Sequence, residues 1–292
     1  MPVPVNATPS LDRIGDMAET VRQLYPHSRE HSLRGLYLAH RLHELGLPER
    51  PFVYGNFVSS WDGRIALRDP RSGESRLPEA LTSDSDFRLL LELHAQAGCL
   101  VTHGGYMRAI AQGRLDDLLQ VGTIKGHEDL AAWREAQGLA PQPAICIASA
   151  SLDFPFPESV RRHGQQVFIA TGRSADAARV RELEREGYEV VIAGDGSAVE
   201  GRPLAHALVQ RGYRSAFLLA GPRMLETMLR DGVLSRLYLT LVHRLLGGEH
   251  FHSLMEGPEM HAAGRLKLAA LYLDSTSPND TGKFFAQFEP LR

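Results

Sequence analysis

Only two cysteines occur among the 292 residues, Cys99 and Cys146. Each sits inside a short apolar run, Gly98-Cys99-Leu100-Val101 and Ala144-Ile145-Cys146-Ile147. A thiol in such a run behaves as a small hydrophobe, so the pair reads as core of a protein from a reducing compartment and not as a disulfide framework. Charge of one sign is equally scarce: 32 basic and 35 acidic side chains are interspersed, for a formal net charge of -3. With no polybasic stripe to neutralise a phosphate backbone or an anionic bilayer, nucleic-acid and membrane partners are not expected. No apolar run approaches the roughly 20 residues that a bilayer span requires. Met1 to Leu11 has no basic start followed by an apolar stretch, and a cytoplasmic location is expected. Gly-x-Gly-x-x-Gly, a Walker-type Gly-Lys-Ser and a nucleophile elbow are all missing, which argues against a conventional Rossmann site, a P-loop and a serine hydrolase.

What is present is an apolar content of 43%, enough for a large buried core. Apolar residues at three- and four-residue spacing over Ser10 to Leu24 and His31 to Leu45 predict two helices, a helical extension covering residues 1–50. A domain over residues 51–292 follows. It opens with a β-type run from Pro51 to Val58. Then come a helix at Ser83 to Ala97 and strands at Cys99 to Thr102, Ala144 to Ser149 and Gln166 to Thr171. A helix at Ala175 to Glu186, a strand at Tyr188 to Ala193, a helix at Gly201 to Arg211, a strand at Ser215 to Ala220 and a helix at Arg223 to Asp231 complete the alternation. Strands alternating with helices in this way predict an α/β fold with a mixed, mostly parallel sheet flanked by helices. The last three segments, Leu234 to Val242, Leu266 to Leu273 and Lys283 to Phe288, are strands alone, so the sheet is expected to finish antiparallel.

Three stretches carry chemistry. In Asn56-Phe57-Val58-Ser59-Ser60-Trp61-Asp62-Gly63-Arg64 an apolar strand runs into two hydroxyls and an Asp-Gly turn. Farther on, the strand Cys99 to Thr102 ends in His103-Gly104-Gly105-Tyr106, where glycines let backbone N–H groups approach an anion. In Leu218-Leu219-Ala220-Gly221-Pro222-Arg223-Met224-Leu225 a buried strand meets a helix start, a place where free N–H groups and the Arg223 guanidinium can hold a pyrophosphate. His243, His250 and His252 lie close in sequence, but no cysteine cluster or carboxylate pair completes a metal site around them, and exposed loop histidines are the plainer reading.

In this order and spacing, Ser59 to Ala66, Ser72-Gly73-Glu74-Ser75, His94-Ala95-Gln96-Ala97, Gly104-Gly105, Ala220-Gly221-Pro222, Gly232 to Leu237 and Leu245 to Gly248 resemble the reductase domain of the bacterial riboflavin-biosynthesis deaminase-reductase, a dihydrofolate-reductase-like family. The resemblance covers roughly Pro51 to Arg292. It implies NADPH across the strand ends, with the pyrophosphate at Gly221 to Leu225, the nicotinamide near Ser59 and Ser60, and the adenosine half near Gly104, Gly105, Ser149 and Thr171. Hydride transfer also needs a proton donor: Asp62, the only carboxylate of the first strand-turn motif, is either that donor or a cap of its turn, Asn56 is the other catalytic candidate, and Ser75 and His94 are the candidate substrate contacts. A homodimer is expected, because the antiparallel C-terminal strands offer an edge and a face to pair.

The departures concern the substrate. Asn56 stands where the family usually has lysine, and His94 where an arginine holds the ribose phosphate. Leu219 or Ala220 replaces a glutamate, and Arg108, Ala109 and Ile110 occupy the neighbourhood of a missing aspartate. A site that loses several polar contacts loses its original ligand, so a different small heterocyclic or carbonyl substrate is expected. Two other readings stay open: a catalytically inactive nucleotide-binding protein, and a reductase using flavin or deazaflavin.

Overall fold

The computed structural model describes residues 19–71, 73, 75–275 and 282–291. In chain order the strands and helices are β1 (Thr20–Tyr25), β2 (Arg29–Ser32), β3 (Phe52–Ser60), β4 (Arg64–Arg68), β5 (Ser75–Arg76), α1 (Asp84–Ala95), β6 (Cys99–His103), α2 (Gly104–Ala111), α3 (Asp129–Ala136) and β7 (Ala144–Ala148). They continue with α4 (Glu158–Arg162), β8 (Val167–Thr171), α5 (Ala177–Arg185), β9 (Glu189–Ile192), α6 (Gly201–Gln210), β10 (Ser215–Leu218), α7 (Pro222–Arg230), β11 (Leu234–Val242), β12 (Phe251–Ser253), β13 (Leu266–Asp274) and β14 (Lys283–Pro290).

Among the described residues, eleven strands form one sheet in the order β2-β1-β13-β14-β11-β3-β10-β6-β7-β8-β9, and β12-β4-β5 form a small second sheet. From β11 to β9 every pairing is parallel, while β11–β14, β14–β13, β13–β1 and β1–β2 are antiparallel. The expected mixed sheet with an antiparallel finish is therefore observed. Alternating side chains divide the core in two. Tyr54, Leu100, Ile145 and Phe217 pack with Leu89 and Leu93 of α1, Met107 of α2 and Leu183 of α5. Val53, Val101, Cys146 and Ala216 pack on the opposite face with Leu204 and Leu208 of α6 and Leu225 and Met228 of α7. Cys99 and Cys146 are buried free thiols. No helix among the described residues is long and apolar enough to cross a membrane.

The two helices expected before Pro51 are not found in the described part of that segment; residues 1–18 lie outside it. Residues 20–25 form β1, which pairs with β13 and buries Val21 while exposing Arg22, so strand pairing with an available edge overrides the helical spacing. Between Leu38 and Glu44 only two short 3-10 turns form, interrupted by Arg41 in the left-handed region at φ 48°. The backbone N–H groups there are taken by side chains of α1. Gly35 and Tyr37 donate to the Glu92 carboxylate at 2.6 and 3.0 Å, and Leu42 donates to Gln96 Oε1 at 2.8 Å.

A polar layer lies between α1 and the antiparallel strands. Lys283, its side chain only 2% exposed, reaches Asp274 at 3.2 Å, while Asp86 accepts the Thr240 hydroxyl at 2.5 Å. Burial pushes the Asp86 carboxyl up to about 6, even though the Thr240 hydroxyl and the Lys283 ammonium pull it down. The folded state thus holds this proton more tightly than the unfolded chain, whose value is about 3.9. Its contribution to stability is complete below the unfolded value and is lost as pH rises through about 6. Asp86→Asn is expected to flatten the decline between pH 4 and 6 and to stabilise the protein at pH 8 by on the order of 2 kcal/mol. Thermal denaturation across that pH range checks it; superimposable profiles for the two proteins would mean that Asp86 ionises freely.

Candidate functional site

The parallel strands all end at one edge, and there a cleft of about 440 Å³ opens between the ends of β6 and β7 and the start of α7. Of the expected cofactor residues, Ser149, Gly221, Pro222, Arg223 and Met224 line it. Gly221 has φ -80°, which any residue adopts, and a Cβ built there meets nothing within 4 Å. Neither backbone conformation nor packing requires glycine here, and the free space lies where a ligand would approach the backbone. The cradle is narrower than the sequence suggested. Met224 and Leu225 both donate back to the Gly221 carbonyl, at 3.1 and 3.3 Å, and Pro222 has no N–H. Arg223 therefore supplies the first-turn N–H and an exposed guanidinium, while Leu225 is 1% exposed and belongs to the core.

The glycine pair has a different explanation. Gly104 and Gly105 are the first residues of α2, capped by His103, whose Nδ1 accepts the Tyr106 N–H. A Cβ on Gly104 would sit 2.9 Å from the Phe154 ring and 3.1 Å from Ser149 Oγ, and one on Gly105 would sit 2.8 Å from His103 Nδ1. Close packing accounts for both glycines. Thr171, at the end of β8, is fully buried, and its hydroxyl has no hydrogen-bond partner among the described residues.

At the end of β3 the hydroxyls are engaged within the turn. Ser59 donates to the Ser60 carbonyl at 2.9 Å, and Ser60 donates to Asp62 while accepting the Arg64 N–H at 3.0 Å. Asp62 also accepts the Leu246 and Gly247 N–H groups at 3.2 and 2.9 Å and pairs with Arg64. The Ser60 hydroxyl, those two amides and the Arg64 charge hold its carboxyl down to about 2. Asp62 is thus an ionised clamp between two loops, without a proton to donate at neutral pH. Asn56 is half-buried on β3, opposite Tyr238 in the register, on the face where Asp86 lies. His94 is 3% exposed inside α1 and lies 6.4 Å from the Phe217 ring; burial and the Arg134 charge push it down to about 3. It is a neutral core histidine and does not line the cleft.

A constellation joining residues that the sequence marks only separately, His252 and Ser75, sits on the same cleft together with Glu256. His252 and Glu256 both line it; the Glu256 carboxylate accepts from His252 Nδ1, and Nε2 lies 2.8 Å from the Ser75 hydroxyl. The carboxylate fixes the tautomer and orientation of the ring, which can then exchange a proton through Nε2. The other two loop histidines lie apart from it: His250 is exposed, and His243 packs against Phe284 at 4.4 Å and Trp61 at 5.8 Å. His103, half-buried, its imidazole pushed down by desolvation and by Arg108, forms part of the cleft wall.

Known proteins give this geometry a context. The structure is similar to a pyrimidine reductase-like protein of Corynebacterium diphtheriae, with a TM-score of 0.61 and 20% identity over 89% of this chain and 97% of that one. It is similar to Acinetobacter baumannii RibD, with a TM-score of 0.55 and 18% identity over 83% of this chain and 58% of that one, so the chain spans little more than half of that longer protein. The riboflavin biosynthesis reductase Rib7 of Saccharomyces cerevisiae matches with a TM-score of 0.50 and 12% identity over 87% and 98% of the two chains. No curated protein matches the sequence. These likenesses share the mixed, helix-flanked sheet described above, and residues 51–277 match the sequence family described as the RibD C-terminal domain. With a matched segment of that extent and the corresponding fold around it, this chain belongs to the RibD C-terminal domain family, on the dihydrofolate-reductase-like fold.

Proposed function

We propose that the protein is an NADPH-dependent reductase of a small heterocyclic or carbonyl compound, different from the pyrimidine that riboflavin reductases take. The observation that carries this reading is the convergence of Ser149, Gly221, Arg223 and Met224 on one cleft, with open space above Gly221. Those residues fit a dinucleotide: the Arg223 N–H and guanidinium suit a pyrophosphate, and the glycine leaves room for it. When bound, NADPH supplies a hydride equivalent. The remaining tasks fall to this chain. Arg223 offsets the phosphate charge, and Asp62 holds the Leu246–Gly247 loop beside the end of β3. His252, oriented by Glu256, gives a proton to the reduced substrate and recovers one by way of the Ser75 hydroxyl. Core packing of His94 and the half-buried Asn56 replace the charged contacts of the related reductases, which favours an uncharged substrate.

The same proposal includes a cytoplasmic homodimer. The edge expected for pairing is absent, since β11, β14 and β13 lie inside the sheet, but their outer face is apolar and only half-buried at Leu241, Phe284, Leu271 and Leu273. Leu273→Arg is expected to convert a dimer to a monomer in sedimentation velocity; a wild type that sediments as a monomer would remove this part of the proposal.

Titration with NADPH, followed by nicotinamide fluorescence, is expected to saturate for the wild type and to weaken at least tenfold for Gly221→Asp, whose carboxylate enters the free space. Because that space accommodates a side chain, the variant should keep the wild-type melting temperature. Absence of NADPH binding in the wild type would refute the reading, and a yellow purified protein would transfer it to a flavin or deazaflavin. In a substrate screen, His252→Gln is expected to lower turnover about a hundredfold while NADPH binding is retained; turnover unaffected by the change would assign the proton to another group.

A further inference from the structure

The helix that opens on the cofactor cleft closes on a second one. The first turn of α7 lines the cleft described above, and its last turn, with the following Asp231 to Leu234, lines another of about 580 Å³. This second cleft lies at the opposite edge of the sheet, where β3 and β11 begin and β14 ends. Its floor is apolar, formed in part by Pro51, Leu229, Val233 and Leu291. The α7 carbonyls at this end are already occupied: Leu229 and Met228 accept from Gly232 and Val233, with Gly232 at φ 69° closing the helix. The charge of the cleft therefore comes from side chains.

Those side chains are predominantly basic. Arg50, Arg202, Arg230 and Arg265 line the cleft together with His206, against the carboxylates of Glu49 and Asp231. Asp231 is committed to the start of α6, where it accepts the Gly201 N–H at 2.6 Å, and Arg230 pairs with Glu226. The other three guanidinium groups have no carboxylate partner among the described residues. Arg202 and Arg265 each donate through Nε to a backbone carbonyl, of Asp231 at 3.0 Å and of Ala262 at 3.3 Å, which leaves their terminal nitrogens available, and Arg50 forms no side-chain hydrogen bond there. Set against the carboxylates of Glu49 and Asp231, the three arginines without a carboxylate partner leave a small positive excess around one apolar hollow, where an anion with an apolar body would fit.

We propose that this cleft is a binding site for a phosphate monoester carrying a planar body, the class to which mononucleotides belong. Guanidinium forks donate to phosphate oxygens in pairs, and the apolar lining of Pro51, Val233 and Leu291 covers the face of the base. The site is separate from the cofactor cleft and does not depend on the reading proposed for it.

Calorimetric titration of the full chain with adenosine 5′-monophosphate and with adenosine tests the assignment. Saturable binding of the monophosphate, at least tenfold tighter than adenosine, is expected. Arg202→Glu combined with Arg265→Glu should weaken it at least tenfold, and Arg50→Ala, which removes no hydrogen bond, should weaken it independently of any effect on folding. Gly221→Asp should leave it unchanged. The proposal is overturned if the monophosphate binds no more tightly than adenosine, if its affinity survives the arginine substitutions, or if Gly221→Asp abolishes it, which would put the nucleotide in the cofactor cleft.

Discussion

The rest of the molecule depends on the parallel pairing of β3 with both of its neighbours. Phe52 to Gly55 pair in register with Ser215 to Leu218 of β10, and Val53 to Ser60 pair with Leu234 to Val242 of β11. A parallel neighbour can be reached only by a crossover, so the chain must pass over one face or the other between these strands. Both faces of β3 are thereby covered, and Val53 and Tyr54 are fully buried on opposite sides of it. Parallel pairing continued to β9 sends every strand from β11 to β9 out of the sheet at one edge. Ser60, His103, Ser149 and Gly221 are brought near that edge by direction alone, before any side chain makes a contact.

Within that frame α1 carries an unusual share of buried polar bonding. Arg88 donates to Glu92 at 2.9 Å and to both oxygens of Asp129 at 2.8 and 2.7 Å, and Glu92, fully buried, also receives the Gly35 and Tyr37 N–H groups. Arg134 of α3 donates to the Ala95 and Ala97 carbonyls at the other end of the helix. Such a network is stabilising only when every member is satisfied, and loss of one partner leaves a buried charge behind. It ties the segment before β3 and the segment before β7 to a single helix, and so fixes the sheet face on which Asp86 and Asn56 lie.

Much of this was readable before the structure. The strands from β3 to β14 whose apolar runs are continuous, and the helices α1, α5, α6 and α7, stood out because burial on both faces or on one stripe imposes a pattern. α2 did not, since it begins with two glycines whose reason is the packing of Phe154 and His103 against them. β1 was missed because its strand identity comes from β13, roughly 250 residues later. In the candidate site, the Gly221 loop was legible from local chemistry, as a strand meeting a helix start. The true situation of Asp62 and His252 was not: Asp62 meets Gly247 at a separation of 185 residues, and Ser75 meets His252 at 177. Contacts of that range leave no trace in local spacing, whereas His94 carried a misleading one, a polar residue at a family landmark that the core absorbs.

The two ends of the large sheet have a consequence for life at high concentration. An open sheet presents unpaired N–H and C=O groups at its outermost strands, and a long, flat, apolar edge would template the addition of further chains. Here the outermost strands are β2 and β9, each four residues long. β2 reads Arg29-Glu30-His31-Ser32, and β9 begins at Glu189, which is held by Arg211. An incoming strand would gain only a few ladder bonds before running into charge at either end. Aggregation by strand addition is thus discouraged at both borders of the sheet, and the wide hydrogen-bonded array stays finite in solution.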